Sequence, residues 1–292
     1  MEPSDLKQKL LDETFKAMGL SSNSPLRLLL EPVFAPAAQR FAEVAIRFDN
    51  DVANDGFRAA ALRLLPRFIR NVHVDGMERI PPEGPLLVVS NHPGTVDALV
   101  IASHLPRPDL KIVVSGVPFL RSLSATAQHL IYTSADTHER MNVVRSIIRH
   151  LGQGGSVLIF PSGGIDPDPA LMPGATDEIE TWSPSLDLIV RRLSSVNVLI
   201  TAVGGVLHDA WVKSPFVRIR RGRRNQQRLA EFFQTIQQML MPNSLLVSPI
   251  VSFAEPLRFT ANSNSPAFPT IIARAKEHLA QLQRCLSLYF NG

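Results

Sequence analysis

A single cysteine, Cys285, leaves the chain without any internal disulfide framework, and no Cys/His cluster has the spacing of a zinc site, so no metal is expected. Also missing is any run of about 18 apolar residues of the kind that spans a bilayer. The longest apolar stretch, Val198 to Leu207, is interrupted by Thr201 and by glycines. The opening residues, Met-Glu-Pro-Ser-Asp-Leu-Lys-Gln, lack the basic-then-apolar layout of a signal peptide. These absences lead us to expect a cytoplasmic protein, soluble or peripheral to the inner face of a membrane. There is no internal repeat and no low-complexity tract. What remains is ample for a full core: 292 residues, 45% of them hydrophobic.

Charge is modest on average, at +4 with a pI near 9.6, but unevenly spread. Arg218, Arg220, Arg221, Arg223, Arg224 and Arg228 crowd one segment. An anionic membrane surface, an acidic carrier protein and a phosphorylated cofactor are the candidate partners, all drawn by the same field. Nucleic acid fits less well, because the segment has no interleaved aromatics to stack bases and matches no DNA-binding motif.

Residues 4 to 70 read as helical. Leu6, Leu10, Leu11, Phe15 and Met18 recur at helical spacing, and further apolar stripes run over Leu26 to Phe48 and Phe57 to Ile69, punctuated by Ser24-Pro25 and Asp49-Asn50-Asp51. From Val72 the texture becomes strands alternating with helices. Strands are expected at Leu86–Val89, Lys111–Val114, Leu130–Tyr132, Ser156–Phe160, Val196–Val203 and Leu245–Phe253. Helices are expected at Thr95–His104, Thr137–Leu151, Ser185–Ser194, Arg224–Met241 and Ala267–Tyr289. The alternation predicts an α/β fold with a mostly parallel central sheet flanked by helices, residues 73–292, behind a small helical N-terminal domain or cap, residues 1–72.

Two loops carry chemistry. At the exit of the apolar run Leu86–Val89, Asn91-His92-Pro93-Gly94 breaks the strand, and Asp97 follows His92 by five residues near the start of a helix. A carboxylate on one ring nitrogen fixes the imidazole tautomer and leaves the other nitrogen to accept a proton. The second loop, Phe160-Pro161-Ser162-Gly163-Gly164-Ile165-Asp166-Pro167-Asp168-Pro169, leaves another buried strand, where ligands bind in open α/β sheets. Ser162 is no nucleophile-elbow serine, since Phe160 occupies the place of that motif's first glycine. His208-Asp209 also follows a strand, but adjacent residues there point apart, which favours a structural or acceptor-contact role.

With these residues in view, the chain resembles the glycerol-3-phosphate and lysophosphatidate acyltransferase family. Asn91, His92 and Asp97 are similar to its first motif, and Val74 to Pro81 to the approach to it. Gly116-Val117-Pro118-Phe119-Leu120-Arg121 resembles the second block. Phe160-Pro161-Ser162-Gly163-Gly164 is more like the version in soluble plastid-type glycerol-3-phosphate acyltransferases, as are Trp182–Leu193 and Leu207-His208-Asp209.

The resemblance implies acyl transfer from acyl-CoA or acyl-carrier protein, as donor substrate rather than bound cofactor, to a hydroxyl. His92 would be the general base and Asp97 its orienting partner. Arg121 would bind an anionic group on the acceptor, and Ser162, Gly163 and Gly164 would hold acceptor or oxyanion. The chain departs from the plastid pattern after Gly164, where Ile165 and Pro167 replace the arginines that clamp phosphate, and upstream, where only His138 and Arg140 could substitute for a basic pair. The resemblance implies glycerol-3-phosphate, a lysophospholipid or a related alcohol as acceptor, and the missing clamp shifts the expectation toward a lysophospholipid, an altered polyol phosphate or an alcohol with no phosphate. An acyl-chain or carrier-binding protein without turnover, and an acyl-thioesterase, are the alternatives.

Overall fold

Five β-branched or apolar-rich residues, Leu86 to Ser90, form a strand with no exposed position, as expected of a central strand covered on both faces. In the computed structural model, which describes residues 3–17, 21, 23–115, 118–133, 137–260 and 266–290, this strand is the middle of a mixed sheet. In chain order the strands are β1 (His73–Asp75), β2 (Leu86–Ser90), β3 (Leu110–Ser115), β4 (Leu130–Thr133), β5 (Ser156–Ile159), β6 (Ser195–Gly204), β7 (Ile250–Phe253) and β8 (Leu257–Thr260). Their spatial order is β1-β7-β6-β2-β5-β3-β4, with β8 beside the first half of β6. From β6 to β4 every pairing is parallel, while β7 and β8 run antiparallel to β6. The fold is α/β, with a mostly parallel central sheet flanked by helices.

Alternation along β2 sorts its side chains to two cores. Leu87 and Val89 pack with Ile147, Leu186, Ile271 and Leu279 from the helices Thr137–Gly152, Ser185–Arg191 and Ala267–Phe290. Leu86 and Val88 face the other way, toward Val100 and Ile101 and toward Phe48, Val52, Phe57 and Ala60. Each such fully buried Leu, Val or Ile contributes roughly 1.5–3 kcal/mol. The N-terminal helices are α1 (Pro3–Ala17), α2 (Pro25–Asp55) and α3 (Phe57–Leu64), and Asp97–His104 is α4. The last turns of α2, with α3, share the second core with the sheet.

Several boundaries differ from the sequence reading. Asp49-Asn50-Asp51 does not end a helix: Asp49 accepts the Thr126 amide at 2.7 Å, Asp51 lies 3.6 Å from Arg63, and α2 stops only at Gly56, whose φ of 82° a side chain would strain. Pro32 and Pro36 stay within α2, both on its exposed side, where the carbonyls they orphan can meet water. The strand expected over 245–253 begins only at Ile250, because Asn243 and Leu245 adopt φ of 66° and 52°, outside strand geometry. Residues 261–265 of the polar loop after β8 lie outside the described residues. Among the described residues no helix is long and apolar enough to cross a membrane.

Candidate active site

Parallel neighbours β6, β2 and β5 deliver their carboxyl ends to one edge, and the two chemical loops leave the sheet there side by side. Asn91 extends the β2–β6 ladder with its side chain: its Nδ2 donates to Val203 O at 2.7 Å and its Oδ1 accepts Val203 N–H at 2.8 Å. The amide thus continues strand pairing one residue past β2 and sets where His92 emerges. Gly94 then passes close to its neighbours, since a Cβ there would lie 3.2 Å from Val206 and 3.3 Å from Glu231.

Asp97 is the first residue of α4, where the helix dipole favours a carboxylate, and it is fully buried. Its Oδ2 lies 2.9 Å from His92 Nδ1 and accepts the Gly94 amide at 3.0 Å, while Oδ1 lies 3.1 Å from the same ring nitrogen. The structure therefore brings together the two residues that the sequence pairs. Phe160 covers the imidazole, with ring centroids 4.4 Å apart and planes 24° from parallel. The His92 side chain keeps 28% exposure. Burial opposes its protonation, but the charge and hydrogen bond of Asp97, aided by Glu231 and Asp166, outweigh that and raise its pKa from 6.5 to about 9.

Three acidic residues to which the sequence reading gave no role build the frame around this pair. Asp166 clasps the backbone of His92 in both directions: its Oδ2 accepts His92 N–H at 2.9 Å, and its own N–H donates to His92 O at 2.8 Å. Asp168, fully buried, accepts four amides, those of Ala170, Gly205, Val206 and Leu207, at 2.8–3.0 Å. Burial pushes the carboxyls of both aspartates up, against these donors. Glu231, on the helix Arg223–Leu240, accepts from the amide and hydroxyl of Thr95, and burial raises its carboxyl too. One turn earlier, Gln227 donates to Pro93 O at 2.8 Å and Asp166 O at 2.6 Å. The sequence signal for the aspartates was Asp-Pro-Asp-Pro in a loop flanked by apolar segments; Glu231 and Gln227 carried none.

Ser162, Gly163 and Gly164 fall between Phe160, which covers the imidazole, and Asp166, which grips its backbone. Within that turn Gly163, at φ 65°, donates to Phe160 O at 3.1 Å, and the Gly164 amide lies 3.4 Å from Ser162 Oγ, a long bond. Ser162 Oγ itself donates to Gly164 O at 2.9 Å. Arg121 lies beyond β3 on the same sheet edge, two strands along from β2, with its guanidinium 4.3 Å over the Tyr132 ring. Gly116 and Val117 of the second block lie outside the described residues, as do 134–136 and the side chains of His138 and Arg140. His208 Nδ1 caps the short helix Asp209–Val212 by accepting the Ala210 amide at 3.2 Å, a structural use, and it also lies 3.3 Å from Asp209 Oδ1, so the two side chains do not point apart as strand alternation predicts.

Of the arginine cluster, two members reach the glycine turn. Arg223 donates to Ile165 O at 3.3 Å and pairs with Glu178 at 2.7 Å, and Arg224 pairs with the same carboxylate. Arg224 Nη1 would stand 3.5 Å from a Cβ placed on Gly164. Among the described residues no group of three or more His, Cys, Asp or Glu could hold a metal ion.

The 1-acyl-sn-glycerophosphate (LPA) acyltransferase PlsC from Thermotoga maritima, a solved structure, aligns over 84% of this chain and 81% of its own at 16% identity and a TM-score of 0.47. No curated protein matches the chain. Residues 71–182, the stretch that places His92, Asp97 and the turn from Phe160 to Asp166, match the protein-family model described as Acyltransferase.

Proposed function

We propose that the chain is an O-acyltransferase of glycerolipid type, moving a fatty acyl group from acyl-CoA or acyl-carrier protein to a hydroxyl of glycerol-3-phosphate, a lysophospholipid or a related alcohol. The observation that carries this reading is the His92–Asp97 contact at 2.9 Å, inside the segment that matches the acyltransferase family. Asp97 accepts from Nδ1, so Nε2 is the nitrogen left to face an acceptor. In the transfer, His92 Nε2 takes the acceptor's hydroxyl proton as its oxygen attacks the thioester carbonyl. The tetrahedral intermediate collapses with loss of the C–S bond, and the imidazolium returns the proton to the leaving thiolate. A base with pKa about 9 suits that second step, being close to the ordinary thiol value of about 8.5. No acyl-enzyme is needed.

For the oxyanion or acceptor, the Gly164 amide is the donor most easily released, because its contact with Ser162 is long. An anionic acceptor is favoured by Arg224, which reaches the turn itself, and by Arg121 along the same edge. These are the arginines we assign to the role of the clamp that Ile165 and Pro167 do not supply, Arg224 sharing its charge with Glu178.

The test is thiol release from palmitoyl-CoA and palmitoyl-carrier protein by wild type and His92→Ala, with glycerol-3-phosphate, lysophosphatidate, neutral alcohols or no acceptor. Acceptor-dependent release abolished by the substitution supports the reading. Release indifferent to acceptor makes the protein a thioesterase, and donor binding without release makes it a carrier.

A further inference from the structure

We propose that the segment Ser214–Arg221 is a docking surface for an anionic lipid bilayer. Between Ala210 and Ala230 the chain has seven basic residues and no acid. Arg218, Arg220, Arg221 and Arg228 are exposed, and none forms an ion pair among the described residues, unlike Arg223 and Arg224, which share Glu178. The short helix Pro215–Arg218 is pinned from below by Val217, 1% exposed, so that Phe216 and Ile219 stand out at 66% and 77% exposure. Large apolar side chains interleaved with unpaired guanidiniums match the boundary between acyl chains and phosphate headgroups. An acidic protein surface would satisfy the arginines and leave Phe216 and Ile219 without an apolar phase.

Position supports the same occupant. The segment runs directly into Arg223 and Gln227, which hold Ile165 and Pro93 at the rim of the His92 site. Docking here brings the bilayer to the sheet edge from which His92 emerges. The proposal does not rest on acyl transfer, because vesicle binding needs no turnover.

The experiment is sedimentation of the full chain with phosphatidylcholine vesicles, with and without phosphatidylglycerol. Wild type is expected to bind only the anionic vesicles, less as salt rises. Arg218→Ser/Arg220→Ser/Arg221→Ser is expected to bind roughly a hundredfold more weakly, about fivefold per arginine. Turnover of water-soluble donor and acceptor is expected to be unchanged in this variant, which separates failure of docking from failure of acyl transfer. Equal binding to neutral vesicles, wild-type binding by the triple variant, or capture of acidic carrier protein without vesicle binding would each overturn the proposal. Should the triple variant unfold, Phe216→Trp decides: its emission, after subtraction of the wild-type signal from Trp182 and Trp211, is expected to shift to the blue on adding anionic vesicles, and an unmoved difference spectrum refutes insertion.

Discussion

Replacing Asp97 with Asn probes the site most directly, because the two states differ in one charge at 2.9 Å from the His92 ring. With His92 raised to about 9, only about 1% of the imidazole is neutral at pH 7. If the neutral ring is the base, wild-type kcat/KM climbs about tenfold from pH 7 to pH 8 and levels off above pH 9. Asp97→Asn removes the largest influence opposing burial, so the midpoint of this rise falls toward or below 6.5. The plateau falls as well, by roughly 100- to 10,000-fold, because an amide no longer selects the tautomer or steadies the imidazolium. Acceptor-dependent thiol release between pH 6 and 10 measures both quantities. A wild-type profile flat from pH 7 to 9.5, or an Asn variant that keeps the wild-type midpoint, would refute the assignment of His92 as an Asp97-lifted base.

The same shift enters stability. A histidine whose folded pKa is raised stabilises the native state fully below its unfolded value, 6.5, and ceases to do so as pH passes about 9; the difference is about 3 kcal/mol. Denaturant titrations should show this loss in wild type and a much smaller one in Asp97→Asn. Asp168→Ala strips the acceptor from three buried amides and one partly buried amide and should cost about 4 kcal/mol, lowering Tm by roughly 10 °C, whereas a change below about 1 kcal/mol would mean that water replaces the carboxylate. Gly94→Ala forces contacts of 3.2–3.3 Å on Val206 and Glu231 and is expected to cost about 1–3 kcal/mol and at least tenfold in kcat, by moving the loop that holds Asp97; unaltered kcat would show that the loop yields freely.

The part of the site legible in the sequence is the part made locally. His92 and Asp97 lie within one strand exit and the first turn of the next helix, so their spacing alone joins them. Asp166, Gln227 and Glu231 act on the same loop from 74, 134 and 136 residues away, and no local period reports such a contact. Glutamines carry no burial signal of their own, yet Gln227 and Gln238 are 0% and 1% exposed because each satisfies backbone carbonyls of two separate loops. In the fold, the long apolar strands were readable, whereas β1 and β8, of three and four residues with exposed positions, were too short and too polar to register. Asp49-Asn50-Asp51 in α2 misled because both aspartates are used by partners distant in sequence, which propensity cannot see.

Asp166 and Asp168 are separated by Pro167 alone, yet they fasten the loop to two different strand ends, one through His92 and the other through Gly205 to Leu207. A residue inserted between them would pull at least one carboxylate off its amides, so this stretch has a fixed length. Residues 162–165, upstream of the first clasp, are held by the turn's own bonds and by Arg223 on Ile165 O rather than by a buried carboxylate. Attempts to redirect the acceptor by grafting or randomising should therefore vary 162–165 and keep Asp166-Pro167-Asp168 intact. A library diversified across both would return mostly unfolded chains, whatever the acceptor sought.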